Sequence, residues 1–202
     1  PKNGFFYVLD RTDCSFISAE DYVPISWATH VDPETGRPVE VEGARFLDRE
    51  AMITPAPYGG HNWHPMSYNP EAGLVYIPAL DIPALYVTDE SFTHQPGRWN
   101  TGTNPVLAAL PTDKAQLAAT KPLIRGHLAA WDPVEQKEVW RVEHKSPWNG
   151  GILSTAGNLV FQGTATARFV AYSADKGEEL WAFDAQTGIV AAPVTYEIDG
   201  EQ

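Results

Sequence analysis

Ala130-Trp131-Asp132 leads to Val139-Trp140, and Ala171-Tyr172-Ser173 leads to Leu180-Trp181. The two copies are 41 residues apart at both ends, Ala130 to Ala171 and Trp140 to Trp181. Between them lie two more runs of strand composition, Gly151-Ile152-Leu153-Ser154 and Leu159-Val160-Phe161-Gln162-Gly163, around an Ala156-Gly157-Asn158 turn. A fixed period decides architecture before any single element does. Four strands in about 41 residues is the size of one β-propeller blade. The turn followed by Trp also has a mechanical reading. An indole from the last strand of one unit wedges against the neighbouring unit, a large apolar burial worth a few kcal/mol. A β-sandwich with accidentally similar spacing is the competing architecture.

Upstream, the chain is punctuated in the same way. Gly4-Phe5-Phe6-Tyr7-Val8-Leu9 reads as a strand and Asp10 to Ser15 as a turn. Cys14 stands where related turns favour Gly, because a tight turn needs φ > 0 there. Residues 20–50 are irregular around the turn Asp32-Pro33-Glu34-Thr35-Gly36, and Gly59-Gly60 is a hinge. Asn69-Pro70-Glu71-Ala72-Gly73 turns into the apolar strand Leu74-Val75-Tyr76-Ile77-Pro78-Ala79. Residues 84–122 keep no period and are read as an excursion from the scaffold, with a short helix over Ala108 to Ala119.

Composition agrees with short strands and many turns: seven Trp, eight Tyr and eight Phe accompany 17 Pro and 16 Gly in 202 residues. The net charge of -12 argues against nucleic acid and anionic membrane surfaces as partners, since both need clustered Lys and Arg. No apolar run is long enough to span a membrane. The single cysteine, Cys14, excludes an internal disulfide and a multi-Cys metal site. Chain length corresponds to about four blades once the excursion is set aside, where a seven- or eight-bladed ring needs about twice as much. The first strand begins almost at Pro1, and the last run, Glu197 to Gln202, reads as a strand and turn without a return strand. Both features suggest an internal piece of a longer protein.

The chemistry concentrates in Gly60-His61-Asn62-Trp63-His64-Pro65-Met66. The spacing of His61 and His64 can bring two imidazoles together on a metal, yet no third ligand of suitable type lies nearby. Hydrogen-bonding structural histidines are the expected identity, with no metal ligand in the chain. Asn62 offers an amide donor at any pH, and Trp63 an indole donor on a flat wall. On residue type alone Trp63 is read as core, and Lys2 as a solvated lysine.

Three stretches in order resemble the pyrroloquinoline quinone (PQQ) dependent alcohol dehydrogenases. They are Lys2-Asn3-Gly4-Phe5-Phe6-Tyr7-Val8-Leu9-Asp10-Arg11, the Gly60 to Met66 run, and Trp148-Asn149-Gly150-Gly151 with the following Thr155 to Gly163. The Trp-terminated turns are similar to that family's tryptophan-docking repeats. The resemblance covers essentially the whole chain and implies an all-β fold, part of an eight-bladed β-propeller. It implies PQQ at the axis beside Ca²⁺, oxidation of primary alcohols in the periplasm, and electron transfer to a cytochrome. Some members carry a haem c domain fused to the same chain.

Through that resemblance Lys2, Asn62 and Trp63 are the expected cofactor-binding residues. Lys2 matches the cation at the ortho-quinone, where a fixed ammonium stabilises charge developing on oxygen. Lys2, where methanol dehydrogenases carry Arg, and Trp63, where they carry Gln, place the chain in the ethanol-type or quinohaemoprotein branch. Trp148 with Gly150-Gly151 is read either as a segment at the cofactor's edge, where glycine lets backbone approach, or as plain packing. The family's disulfide of adjacent cysteines cannot form here. Its catalytic Asp, its Ca²⁺ ligands and the Trp beneath PQQ are expected upstream of Pro1, and Asp10 and Asp13 are turn residues that do not replace the base. A non-catalytic propeller serving as a binding scaffold is the alternative from another class, and aldehyde or sugar oxidation by a related quinoprotein the alternative within the enzymes. The chain by itself is therefore expected to be inactive. Turnover of ethanol above background by the isolated chain, supplied with PQQ, Ca²⁺ and an artificial acceptor, would contradict that.

Overall fold

Asp10, Asp32, Asn69 and Asp132 each open a turn of the same build in the computed structural model, which describes residues 1–104 and 111–201. In each, the side-chain oxygen accepts the backbone N–H two residues on: Thr12 at 2.7 Å, Glu34 at 2.7 Å, Glu71 at 2.9 Å and Val134 at 2.9 Å. That bond is the reason short acidic and amide side chains favour such positions. Ser173 opens a fifth, its hydroxyl accepting from Glu178 N at 3.1 Å. The fifth residue of every copy is left-handed: Cys14 (φ 64°), Gly36 (65°), Gly73 (68°), Gln136 (52°) and Gly177 (70°). Cys14 thus occupies the glycine position of the turn.

The turns cut the chain into strands β1 (Phe5–Leu9), β2 (Phe16–Asp21), β3 (Ala28–Val31), β4 (Pro38–Glu40), β5 (Ala51–Ile53), β6 (Ser67–Asn69), β7 (Leu74–Asp81) and β8 (Ala84–Tyr86). After helix α1 (Lys114–Thr120) come β9 (Arg125–Asp132), β10 (Lys137–His144), β11 (Ile152–Thr155), β12 (Leu159–Gly163), β13 (Arg168–Ser173) and β14 (Glu179–Asp184). Two four-stranded antiparallel sheets result, in the orders β10-β9-β7-β6 and β11-β12-β13-β14. The pairs β1-β2, β3-β4 and β5-β8 are also antiparallel. β7 and β9 are sheet neighbours although residues 82–124 intervene, and that stretch carries β8 and α1.

Two local expectations change. The helix read over Ala108 to Ala119 falls partly outside the described residues. The helix observed is α1, because Asp113 caps it there: its carboxylate accepts from Ala115 N and Gln116 N, both at 3.0 Å. No strand forms at Glu197; only a bridge links Ile198 to Glu201 around Asp199-Gly200.

The 41-residue repeat is a repeat of register. Trp140 on β10 lies opposite Ala130 on β9, and Trp181 on β14 opposite Ala171 on β13, each pair beside a register shift. Both faces of the β10-β9-β7-β6 sheet are covered, which sets it apart from half of a two-sheet sandwich. Leu74, Tyr76, Leu128 and Ala130 pack against Ile152, Val160, Val170 and Tyr172 of the next sheet. Ile77, Ala79, Ala129 and Trp131 face the other way, onto Tyr22 and Val23 after β2. Double coverage explains why Leu74 to Ala79 reads as an almost unbroken apolar run, whereas edge strand β10 alternates.

Trp140 ties the two sheets together. Its Nε1 donates to Ala174 O at 3.1 Å, and Tyr76 Oη donates to the same carbonyl at 2.9 Å. The indole lies over the turn after β13, where a Cβ on Gly177 would stand 2.5 Å from Trp140 Cε3. Trp181 occupies the equivalent register and is half exposed among the described residues, 6.4 Å from Phe183. Gly177→Ala should therefore be among the most damaging alanine substitutions in any turn of the chain. It combines a left-handed φ with a clash, for a loss of about 2 kcal/mol or more. Gly73→Ala, with no atom near its would-be Cβ, should lose only the φ contribution, about 1–2 kcal/mol. Thermal unfolding of the two variants gives the comparison, and equal losses would contradict the docked indole.

Candidate functional site

Lys2 is held by the loop that follows β5. Gly60 N donates to Lys2 O at 3.1 Å, and a Cβ on Gly59 would stand 2.6 Å from Lys2 Cα. Gly59 is left-handed as well (φ 85°), so glycine is required there on two counts. Gly60 has no room either, since its Cβ would run into Val23. The backbone beside Lys2 is pinned from the other side by Tyr22 Oη, donating to Pro1 O at 2.8 Å, and Trp27 Nε1, donating to Asn3 O at 3.1 Å. Burial pushes the Tyr22 phenol well above its ordinary range, which keeps it a donor. The Lys2 side chain itself is exposed.

The same loop is fastened to the end of β7. Leu80 N donates to Gly60 O at 2.8 Å, and His61 Nδ1 lies 3.2 Å from Pro78 O. Asn62 and Trp63 follow. Asn62 Nδ2 donates to Tyr58 O at 2.7 Å, and its Oδ1 accepts from Trp63 N at 2.9 Å. Each group of the amide keeps one more hydrogen-bonding position, a second N–H and a second lone pair. Trp63 is 63% exposed. The fold therefore ties Lys2 to the loop that carries Asn62 and Trp63, sixty residues on: the Lys2 carbonyl is bonded two residues before Asn62.

The histidines divide. His61 makes the hydrogen bond expected of it. His64 does not: it is 1% exposed and neither ring nitrogen has a partner. It is held by its ring faces instead, with its centroid 4.2 Å from Trp63 at 24° and 5.3 Å from Trp148. Tyr58 completes the cluster, edge-on to Trp148 at 5.4 Å. Burial lowers the pKa of both histidines, and both stand neutral at pH 7. Among the described residues no group of three or more His, Cys, Asp or Glu side chains is placed to hold a metal ion.

The space at Gly150 and Gly151 is filled by protein. A Cβ on Gly151 would strike Pro65, and one on Gly150 would stand 2.8 Å from Ala191 O. Ile152 N donates to Pro65 O at 2.9 Å, so the loop carrying Trp63 is also clamped to β11. Packing accounts for these glycines. Asp10 and Asp13 are surface turn residues. The Thr12 hydroxyl holds the first carboxyl below its usual range, and Ser15 backbone N–H the second. Sequence reading missed Tyr22, Trp27 and Tyr58, whose roles are contacts to distant backbone or rings. The only local signal was the apolar Tyr22-Val23-Pro24 after a strand.

Comparison with known proteins adds a second line. Residues 125–199 match the family described as outer membrane protein assembly factor BamB. The quinohemoprotein alcohol dehydrogenase ADH IIB of Pseudomonas putida is 52% identical over 202 residues, all of this chain and 28% of that protein. The 1-butanol dehydrogenase (cytochrome c) of Thauera butanivorans is 51% identical over 205 aligned positions, all of this chain and 29% of that protein. Among solved structures, quinohemoprotein alcohol dehydrogenase ADHIIG from Pseudomonas putida HK5 superimposes with a TM-score of 0.93 at 44% identity. It covers 99% of this chain and 30% of its own. The chain thus spans under a third of the length of the relatives it matches.

The buried neutral histidines set a pH dependence. Their folded pKa values lie below the ordinary 6.5, so the unfolded chain takes up more protons as pH falls through 6.5. Their contribution to stability is complete above that pH and is lost below it. Thermal midpoints measured from pH 7.5 down to 5 should fall, and less steeply in His64→Phe. An identical slope in that variant would contradict a buried neutral His64.

Proposed function

We propose, for a chain of the quinohemoprotein alcohol dehydrogenase family, that it supplies one wall of the PQQ site of an enzyme oxidising primary alcohols to aldehydes. One observation carries the reading: Gly59 and Gly60 clamp the backbone of exposed Lys2 onto the loop that carries Asn62 and Trp63. One cation, one amide with an N–H to spare and one open aromatic face suit a flat, anionic ortho-quinone. The residues fit the cofactor.

When bound, PQQ supplies hydride-accepting chemistry that no side chain possesses. What this chain adds is binding and electrostatics. The Lys2 ammonium, with its backbone fixed on both sides, would hold the anionic edge of the cofactor and stabilise negative charge there. Asn62 donates from an amide already oriented by Tyr58 O and Trp63 N, so little freedom is lost on binding. Trp63 forms a wall that keeps water from the reacting face. The proton-accepting Asp and the Ca²⁺ ligands belong to other parts of the protein, consistent with turn-bound Asp10 and Asp13.

The architecture follows the same reading: the two four-stranded sheets are blades of an eight-bladed propeller, and the Trp140 contact is one of its tryptophan-docking contacts. Electrons pass to a cytochrome, through a haem c domain in members that carry one, and the reaction takes place in the periplasm. A binding scaffold of assembly-factor type would account for the match over residues 125–199. It gives no reason for relatives whose match extends over the whole chain.

In the native protein, Lys2→Ala is expected to lower kcat/KM for ethanol or 1-butanol by about 10²-fold, the loss typical of one removed electrostatic donor. Lys2→Arg should recover part of it. Unchanged turnover and PQQ retention in Lys2→Ala, Asn62→Ala and Trp63→Ala would dispose of the reading. Turnover of aldehydes or sugars with no activity on alcohols would move it within the quinoproteins.

A further inference from the structure

We infer that His64 is a positioning residue for Trp63, acting through the face of its ring and through neither nitrogen; the inference rests on the reading of Trp63 as cofactor wall. A buried polar side chain normally has a partner, and one without calls for a reason. Both nitrogens of His64 are sealed and unpartnered, so no ligand reaches them in this arrangement. What the ring presents is its faces. One is stacked on Trp63 at 4.2 Å and 24°, and Trp148 packs 5.3 Å away at 49°.

The three rings come from two segments with independent supports. Trp63 and His64 sit on the loop fastened to β7 through Gly60 and His61. Trp148 precedes β11 and is flanked by Asn149, whose Nδ2 donates to Ser146 O at 2.7 Å and whose Oδ1 accepts from Ala165 N at 3.2 Å. Pro65, seated on Gly151 and bonded to Ile152 N, joins the two segments. Among the described residues Trp63 has no ring partner other than His64, and it is the most exposed member of the cluster. Without the imidazole beneath it, the indole would be free to turn about χ1 and χ2, and a wall that turns holds a flat ligand poorly.

The test is a titration of the cofactor-free native protein with PQQ, followed by the absorption of the bound cofactor, in four variants. His64→Ala removes the platform and should weaken binding about tenfold, a loss typical of removing an orienting residue. His64→Phe keeps a flat ring without nitrogens and should restore affinity to within about twofold of native. His64→Gln, which fills the volume without a ring, should behave as His64→Ala does and serves in its place if that variant does not fold. Native affinity in His64→Ala or His64→Gln would overturn the inference. So would His64→Phe binding as weakly as His64→Ala, since a nitrogen would then be responsible. Trp63→Ala separates the two levels. If it binds PQQ as the native protein does, the site reading falls and takes the inference with it. If it binds weakly while His64→Ala binds normally, only the inference falls.

Discussion

The Ala174 carbonyl is the point on which the two large sheets are joined. It accepts two hydrogen bonds, from Trp140 Nε1 and from Tyr76 Oη, both reaching across from the preceding sheet. Tyr76 is fully buried, so its hydroxyl must find an acceptor within the interface, and a misplaced turn would leave it unsatisfied at a cost of about 1–3 kcal/mol. Apolar packing alone would permit the sheets to slide. The two bonds to one oxygen, with the indole against a Cβ-less Gly177, fix their offset.

That offset matters because the candidate site is built across the same interface. Pro65 O bonds to Ile152 N, Pro65 fills the space at Gly151, and Ser67 Oγ lies 2.5 Å from Ser154 Oγ. The loop bearing Asn62 and Trp63 is thereby held from β7 on one side and from β11 on the other. Its third support is the backbone of Lys2, reached through Gly59 and Gly60. Scaffold and site thus share contacts at Pro65, Gly151 and Ile152.

Much of the scaffold was legible in the sequence because the informative residues are large and recur in register. Trp140 and Trp181 repeat at the spacing of their opposite residues, Ala130 and Ala171, and a left-handed turn position could be recognised at Cys14 from its place in the motif. The pairing of β5 with β8 was not legible, since three-residue strands in an irregular stretch carry no period and gain their register from distant packing. Nor was the length of α1, which is decided by one cap at Asp113. Of the site, the residue types and their order could be read, and the bond between the backbones of Lys2 and Gly60 could not be derived from composition or spacing. The hydrogen bond assigned to His64 was wrong for a related reason: a partner is a fact of three dimensions, and the ring is enclosed by Trp63 and Trp148 instead. Gly150 and Gly151 invited a cofactor, and Pro65 and Ala191 occupy their space.

The most direct measurement is a crystal structure of the native protein with PQQ bound. The account predicts Lys2 Nζ and Asn62 Nδ2 within hydrogen-bonding distance of the cofactor's oxygens, with the indole of Trp63 against it and still stacked on His64. PQQ bound elsewhere, or Lys2 and Asn62 directed away from it, would contradict the account.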